Sequence, residues 1–174
     1  MPHHAEPGSP RALMLEAIPR LRRFAMALTG SRHDGDDLVQ IALERALANI
    51  DRWQTGTKME AWLMRIAYNA WIDEVRTRKR RGQHVEFEEA GDPEGIDGRI
   101  VAHARLDLAA VREAMAELPD EHRAVLALVG IDGMSYQETA DTLRIPIGTV
   151  MSRLSRARKA LMEKLDNVGA RSNG

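Results

Sequence analysis

The chain has 174 residues, enough for one ordinary domain or two small ones, and a formal net charge of −1. It has no cysteine, which excludes disulfides, thiolate metal sites and cysteine nucleophiles and fits a reducing cytoplasm. No apolar run approaches the length of a membrane span, and the first residues, MPHHAEPGSPR, lack the apolar stretch of a secretory signal.

Residues 1–10 read as a disordered tail. Residues 12–29 then show helical spacing, with Leu15, Ile18, Leu21, Phe24, Ala25 and Leu28 apolar. Pro19 is expected to kink this helix or to begin a second part of it, and Gly30 to cap its end. A second helix is expected from about Asp34. Asp34, Asp36 and Asp37 suit the positive end of its dipole, and Val39, Leu43, Ala46 and Ile50 form its apolar side. After a loop at 53–56, Thr57 and Glu60 have capping-box spacing and predict the start of a long helix reaching Arg76 or beyond. Leu63, Ile66, Ala67 and Ala70 make its core stripe, with Arg65, Asn69, Ile72 and Arg76 facing roughly the other way. Trp62 and Trp71 offer flat rings for stacking, but tryptophan on an amphipathic helix more often belongs to the core.

Charge is segregated. Residues 65–81 hold Arg65, Arg76, Arg78, Lys79, Arg80 and Arg81 against Asp73 and Glu74. Residues 83–107 hold seven acids against Arg99 and Arg105, with Gly91, Pro93, Gly95 and Gly98 interrupting any periodicity. An acidic, flexible linker over 82–105 follows, separating two basic surfaces suited to nucleic acid. A helix is then expected over about 106–117, with Leu108, Val111, Ala114, Met115 and Leu118 apolar. Another follows Pro119 as far as Val129, and a turn covers 130–134.

The most telling stretch is 135–165, SYQETADTLRIPIGTVMSRLSRARKALMEKL. Ser135 and Glu138 form a capping box, and Ile145-Pro146-Ile147-Gly148 breaks the helix they open. A second helix begins near Thr149. Val150, Leu154, Ala157, Leu161 and Leu165 recur at steps of three and four and share one face. At about 100° per residue, Ser152, Ser155, Arg156 and Lys159 point away from that stripe, with Thr149 and Met151 near the leading end. Short hydroxyls let a helix sit deep in a groove, and arginine can grip a guanine edge or a phosphate. This is the pattern of a helix-turn-helix reading duplex DNA. No strand alternation and no internal repeat is present, so the fold class is all-α. Two small helical domains are joined by the flexible acidic linker, and the C-terminal one contains the helix-turn-helix.

Two blocks carry a family resemblance. One is DDLVQIALERALANIDRW (36–53) with AWLMRIAYNAWIDEVRTRKRR (61–81), and the other is LPDEHRAVLALVGIDGMSYQETADTLRIPIGTVMSRLSRARKAL (118–161). Together, in this order, they resemble the extracytoplasmic-function (ECF) group of the sigma-70 family, the promoter-recognition subunits of bacterial RNA polymerase. Wording such as LVGIDGMSYQETA is most similar to the alphaproteobacterial general-stress branch. The resemblance implies a region 2 domain at 11–81, a region 4 domain at 106–167 and a short tail at 168–174. It implies that Asp37, Gln40, Ile41 and Glu44 dock on core polymerase at the β′ clamp, and that the β flap is a second contact. It implies that Gln54, Thr55, Gly56, Thr57, Lys58, Asn69, Asp73, Arg76 and Arg80 read and open the −10 element. It implies that Thr149, Met151, Ser152, Arg153, Ser155, Arg156 and Lys159 read the −35 element. Many members have a basic residue where this chain has Met151. An anti-sigma protein is the further partner implied, in a stress response.

On this reading the chain performs no covalent chemistry and needs no cofactor or metal. The histidines, His3, His4, His33, His84, His103 and His122, are scattered without ligand spacing, and no P-loop or HExxH pattern occurs. The rival reading is a stand-alone helix-turn-helix regulator that binds duplex DNA without polymerase.

Overall fold

The computed structural model describes residues 6, 8–82 and 100–172, with side chains in the second half described over 108–167. Helices, turns and loops account for all of it, and no strand occurs among the described residues. His3, His4, His84 and most of the expected linker lie outside the described residues, as does the side chain of His103.

Helix α1 (Pro10–Thr29) starts where the Ser9 side chain accepts a hydrogen bond from the Ala12 amide, with Pro10 in the first turn. It runs through Pro19 as one helix, contrary to a division there. Pro19 and Leu15, whose carbonyl loses its partner, are both exposed, so water can replace the missing bond. The helix ends as expected at Gly30, which is left-handed with φ 76°.

Helix α2 (Arg32–Ala48) begins two residues before Asp34. The Ser31 hydroxyl accepts from the Asp34 amide at 3.0 Å, a cap that the run of acids hides in the sequence. A 3₁₀ turn (Ile50–Arg52) follows. Helix α3 (Met59–Arg80) is capped by Lys58 without a side-chain bond, so the expected Thr57–Glu60 capping box does not form. The Thr57 hydroxyl instead donates to the Gln54 carbonyl at 2.7 Å, closing the loop on itself, and Glu60 faces Arg20 at 3.5 Å. Phe24, Leu21, Leu28, Leu63 and Met64 are almost wholly buried where α1, α2 and α3 meet, each stabilising the bundle by roughly 1.5–3 kcal/mol.

Helix α4 (Ile100–Ala116) starts inside the stretch expected to be linker. After Gly98 neither glycine nor proline interrupts IVAHARLDLAA, so nothing stops a helix from nucleating there. Val111, Ala114, Met115 and Leu118 turn inward as expected, but Leu108 is 56% exposed because no other described element covers it. Helix α5 (Asp120–Leu126) passes into a π turn (Ala127–Ile131), so Gly130 belongs to that turn. Helix α6 (Tyr136–Leu143) has the full capping box: the Glu138 amide donates to Ser135 Oγ, and the Ser135 amide donates to Glu138 Oε2 at 2.8 Å. Arg144, left-handed at φ 54°, ends it. Helix α7 (Ile147–Ser172) starts two residues before Thr149, because Pro146 lies just outside and its carbonyl accepts from Thr149 and Val150. Val150, Leu154 and Ala157 are buried as the stripe requires, with Leu161 and Leu165 half-buried.

Candidate nucleic-acid interface

The α6–α7 pair presents its second helix outward. Met151, Ser152, Ser155, Arg156 and Lys159 are exposed on α7 and Thr149 is half-buried, so the face computed from spacing is the face left free. Ser152 Oγ donates to the Thr149 carbonyl at 3.1 Å, which fixes its hydroxyl at the leading end of the helix. Arg153 departs from this set. Its guanidinium holds Glu121 of α5 at 2.8 Å, and its side chain is only 20% exposed. Its charge is therefore engaged within the domain.

The second expected surface is built on α3 and the loop before it. Gln54, Thr55, Gly56, Thr57 and Lys58 are all exposed, and Gly56 takes φ 94°, which an L side chain rarely adopts. Gln54, Thr57, Lys58 and Asn69 line one wall of a groove with Trp62 and Arg65; Glu138, Asp141 and Arg144 lie on the other. Lys58 forms an ion pair with Glu138 across it. That bond, followed by the Ser135 amide of the capping box, holds the Glu138 carboxyl down to about 2. Asp73 is separate from this groove: it faces Arg45 at 3.8 Å and borders the opposite side of α3. Arg76 and Arg80 are exposed at the end of α3, and Arg80 donates to Thr77 Oγ1. Trp71 is buried as core, while Trp62 is half-buried at the groove wall.

The four docking residues, Asp37, Gln40, Ile41 and Glu44, are exposed on α2, with Gln40 donating to Glu44 at 3.1 Å. Asp37 and Ile41 border a groove that continues to Asp73, Lys79, Asp120 and Arg123. Possible ligand atoms of His33, Asp34 and Asp37 lie within 4.8 Å of one another in the first turns of α2. The residues at i, i+1 and i+4 converge there, a grouping not apparent from the scatter of histidines. Acids at this helix end also have the helix dipole as sufficient reason.

Three cations join the two halves, a role that sequence reasoning gave to none of them. Arg123, an arginine at the edge of an apolar run, is buried. It donates to the carbonyls of Leu28 at 2.7 Å, Met115 at 2.9 Å, Ala116 at 2.6 Å and Leu118 at 3.1 Å. Burial lowers its pKa from the ordinary guanidinium value. Arg20 of α1 makes a two-pronged pair with Asp132, Nε to Oδ1 at 3.0 Å and Nη2 to Oδ2 at 2.7 Å. That bond raises the Arg20 pKa above its usual value. Lys79 adds a bond to Asp120 at 2.8 Å. The only advance signal was Arg123's position beside AVLALV, since a cation there must find internal acceptors.

Comparison with known proteins assigns both halves. Residues 14–68 match the Sigma2 domain of PhyR, and residues 108–161 match sigma-70, region 4. The ECF RNA polymerase sigma factor EcfG of Rhodopseudomonas palustris (strain TIE-1) is 38% identical over 161 residues, covering 92% of this chain and 87% of that one. The chain belongs to the ECF sigma factors of RNA polymerase. Another relative, SigW of Bacillus subtilis (strain 168), is 33% identical over 160 residues, covering 86% of this ECF chain and 84% of SigW. Among solved structures, the sigma factor RpoE in complex with the anti-sigma factor NepR from Bartonella quintana aligns with TM-score 0.76 and 32% identity. That alignment covers 90% of this chain and 96% of RpoE. CnrH in complex with the cytosolic domain of CnrY aligns with TM-score 0.63 and 27% identity, covering 90% and 97%. Within this ECF sigma factor, the docking residues and the 54–58 loop fall inside the Sigma2 match, and the α7 set falls inside region 4. Asn69, Asp73, Arg76 and Arg80 lie beyond the Sigma2 match.

Proposed function

We propose that this chain binds core RNA polymerase and directs it to promoters with a −10 and a −35 element, and that an anti-sigma protein holds it off in a stress response. The exposed side of α2, with Asp37, Gln40, Ile41 and Glu44, docks on the β′ clamp, and the region 4 domain contacts the β flap. The exposed face of α7 enters the major groove at −35, where Arg156 reads a base edge or grips a phosphate and Ser152 and Ser155 allow close approach. The 54–58 loop receives an extruded base at −10, with Asn69, Asp73, Arg76 and Arg80 along α3 guiding the strand. The chain forms no bond itself, because RNA synthesis is the polymerase's chemistry.

The observation that carries this reading is that two sigma-factor modules occur in one chain, in order, with the −35 face of α7 left exposed. The likeness to RpoE with NepR supports the anti-sigma partner. The test is reconstitution: purified chain, core polymerase and a library of upstream DNA, with transcripts mapped. Discrete start sites that require the chain are expected. Initiation as random as with core polymerase alone would reject the proposal.

A further inference from the structure

Arg144 makes the turn between the two helices of the helix-turn-helix with its backbone in the left-handed region, at φ 54° and ψ 48°. It is the one residue other than glycine with a positive φ among the described residues. A side chain is costly in that conformation, because its Cβ crowds the following carbonyl oxygen, and glycine escapes the cost. The chain uses glycine for this shape elsewhere: Gly30 ends α1 at φ 76°, and Gly133 follows the π turn at φ 76°. The turn itself requires the left-handed residue. The amides of Arg144 and Ile145 both bend back to the Ala140 carbonyl, the latter at 3.0 Å, and Pro146 then leads into α7.

No contact within the fold accounts for an arginine at this position. Arg144 is exposed, and its guanidinium makes no ion pair or hydrogen bond among the described residues. The carboxylates that border the same groove have other partners: Glu60 faces Arg20 at 3.5 Å, Glu138 pairs with Lys58, and Asp141 accepts from the Gln137 side chain at 2.9 Å. A cation near a helix C-terminus gains from the dipole, but an exposed one gains little, because water and salt screen it. Pro146, Ile147 and Gly148 are exposed as well, so an open strip runs from Arg144 to the leading end of α7, where Met151 and Ser152 continue it. Backbone strain is characteristically kept where it serves a site.

We propose that Arg144 is a backbone clamp of the −35 reader: as α7 enters the major groove, the guanidinium holds a DNA phosphate flanking the −35 element and fixes the register of the helix. This inference rests on the sigma-factor reading above and adds to it a contact outside the α7 face. A phosphate contact carries no sequence information, so Arg144 raises affinity for every duplex alike and leaves the choice among them to α7. The same residue lowers the stability of the turn and raises affinity for DNA, so the two properties move in opposite directions when it is replaced by glycine.

The test uses the full chain and its holoenzyme, with R144G, R144A and R144K. Thermal melts of the free chain come first. R144G is expected to raise the midpoint by about 2–4 °C, because glycine relieves the left-handed strain, and R144A, which keeps a Cβ there, is expected not to raise it. Holoenzyme is then titrated with a −35 duplex and a scrambled duplex over a range of salt. R144G and R144A are each expected to weaken both duplexes by about fivefold at about 0.15 M salt and to make the salt slope shallower by about 1, whereas R144K keeps the slope. A lower midpoint for R144G would show that the fold itself needs the arginine. An unchanged slope, or a loss confined to the −35 duplex, would show that no phosphate is held. Each of these overturns the clamp. R156A is run beside them. Duplex binding that depends on Arg156 but not on Arg144 removes the clamp and leaves the sigma reading intact. Holoenzyme with no more affinity for the −35 duplex than core polymerase alone removes both.

Discussion

The guanidinium carbon of Arg123 lies 5.4 Å from the centroid of the Trp71 ring. The cation belongs to α5 of the C-terminal domain and the ring to α3 of the N-terminal domain, so the contact crosses the boundary between them. Its donors end on carbonyls of both domains, Leu28 on one side and Met115, Ala116 and Leu118 on the other. A planar fork can serve these acceptors together, and a lysine cannot. Arg123→Met would take this donor from the carbonyls of Leu28, Ala116 and Leu118, while the Met115 carbonyl keeps the Leu118 amide at 3.1 Å. It is expected to cost about 3 kcal/mol, with Arg123→Lys falling between it and the native chain. Urea unfolding followed by tryptophan fluorescence and by helix signal checks this. The two probes should coincide for the native chain and separate for Arg123→Met.

Gly35 sets how closely α1 and α2 approach. A Cβ built there would meet Met26 Cγ at 2.9 Å, its Cα at 3.2 Å and its backbone nitrogen at 3.3 Å. The flexible Cγ can yield, but the backbone atoms yield only if the helices part. Alanine gains up to about 1 kcal/mol in helix propensity, and overpacking costs about 1–3 kcal/mol. The net expectation for Gly35→Ala is a loss of about 1 kcal/mol. Gly148, in the first turn of α7, has nothing within 4 Å of its added Cβ, so Gly148→Ala is expected to be neutral or stabilising. Opposite signs in paired thermal melts are the expected result, and equal shifts would contradict the close approach.

Features that depend on residues three or four apart were legible in the sequence. The Ser135–Glu138 box, the Gly30 cap and the α7 stripe are local, and the outward face of α7 follows from the stripe by rotation alone. The Thr57–Glu60 box has the same spacing and does not form, because Glu60 has a tertiary partner in Arg20 and Thr57 turns back on Gln54. Residues distant in sequence escaped altogether. Arg20 and Asp132 are 112 positions apart, and no local pattern pairs them. Arg153 shows the same limit within the binding face: spacing puts it near the edge of the exposed side, but only the packed structure shows Glu121 beside it.

His122 gives the stability a pH dependence. Its pKa lies below the ordinary imidazole value, chiefly through burial and then through the nearby charges of Arg153 and Arg156. Above the unfolded value near 6.5 the residue is neutral in both states and contributes no difference. As pH falls through that value the unfolded chain takes up the proton first, so stability declines on acidification until the folded pKa is passed. His122→Gln is expected to flatten the decline between about pH 7 and about pH 5.5, where histidine is the main titrating side chain. Urea midpoints for the two chains across that range check the sign. A steeper decline in the variant would contradict the lowered pKa of this half-buried imidazole.

Arg153 and Arg156 stand three positions apart on α7 and should behave differently. Arg156 is exposed and makes no ion pair among the described residues, whereas Arg153 is held by Glu121 at 2.8 Å. If Arg156 reaches a base edge, Arg156→Ala should cost about 1–3 kcal/mol of −35-dependent binding with little change in stability. A loss uniform across sequences, with the salt slope reduced by about 1, would mark a phosphate contact instead. Arg153→Ala should lower stability by about 0.5–1 kcal/mol, since the ion pair it loses is partly exposed, and should leave the salt slope nearly unchanged. Met151 extends the comparison, because it is 53% exposed on the same face without charge. Met151→Arg should steepen the salt dependence of duplex binding by about 1 if its side chain comes within reach of a phosphate. Binding titrations with a −35 duplex and a scrambled duplex over a range of salt, done with the holoenzyme, measure the three binding effects, and urea unfolding of the free chain measures the stability change. A larger effect on salt slope from Arg153 than from Arg156 would show that the inward-tied arginine leaves Glu121 when DNA arrives.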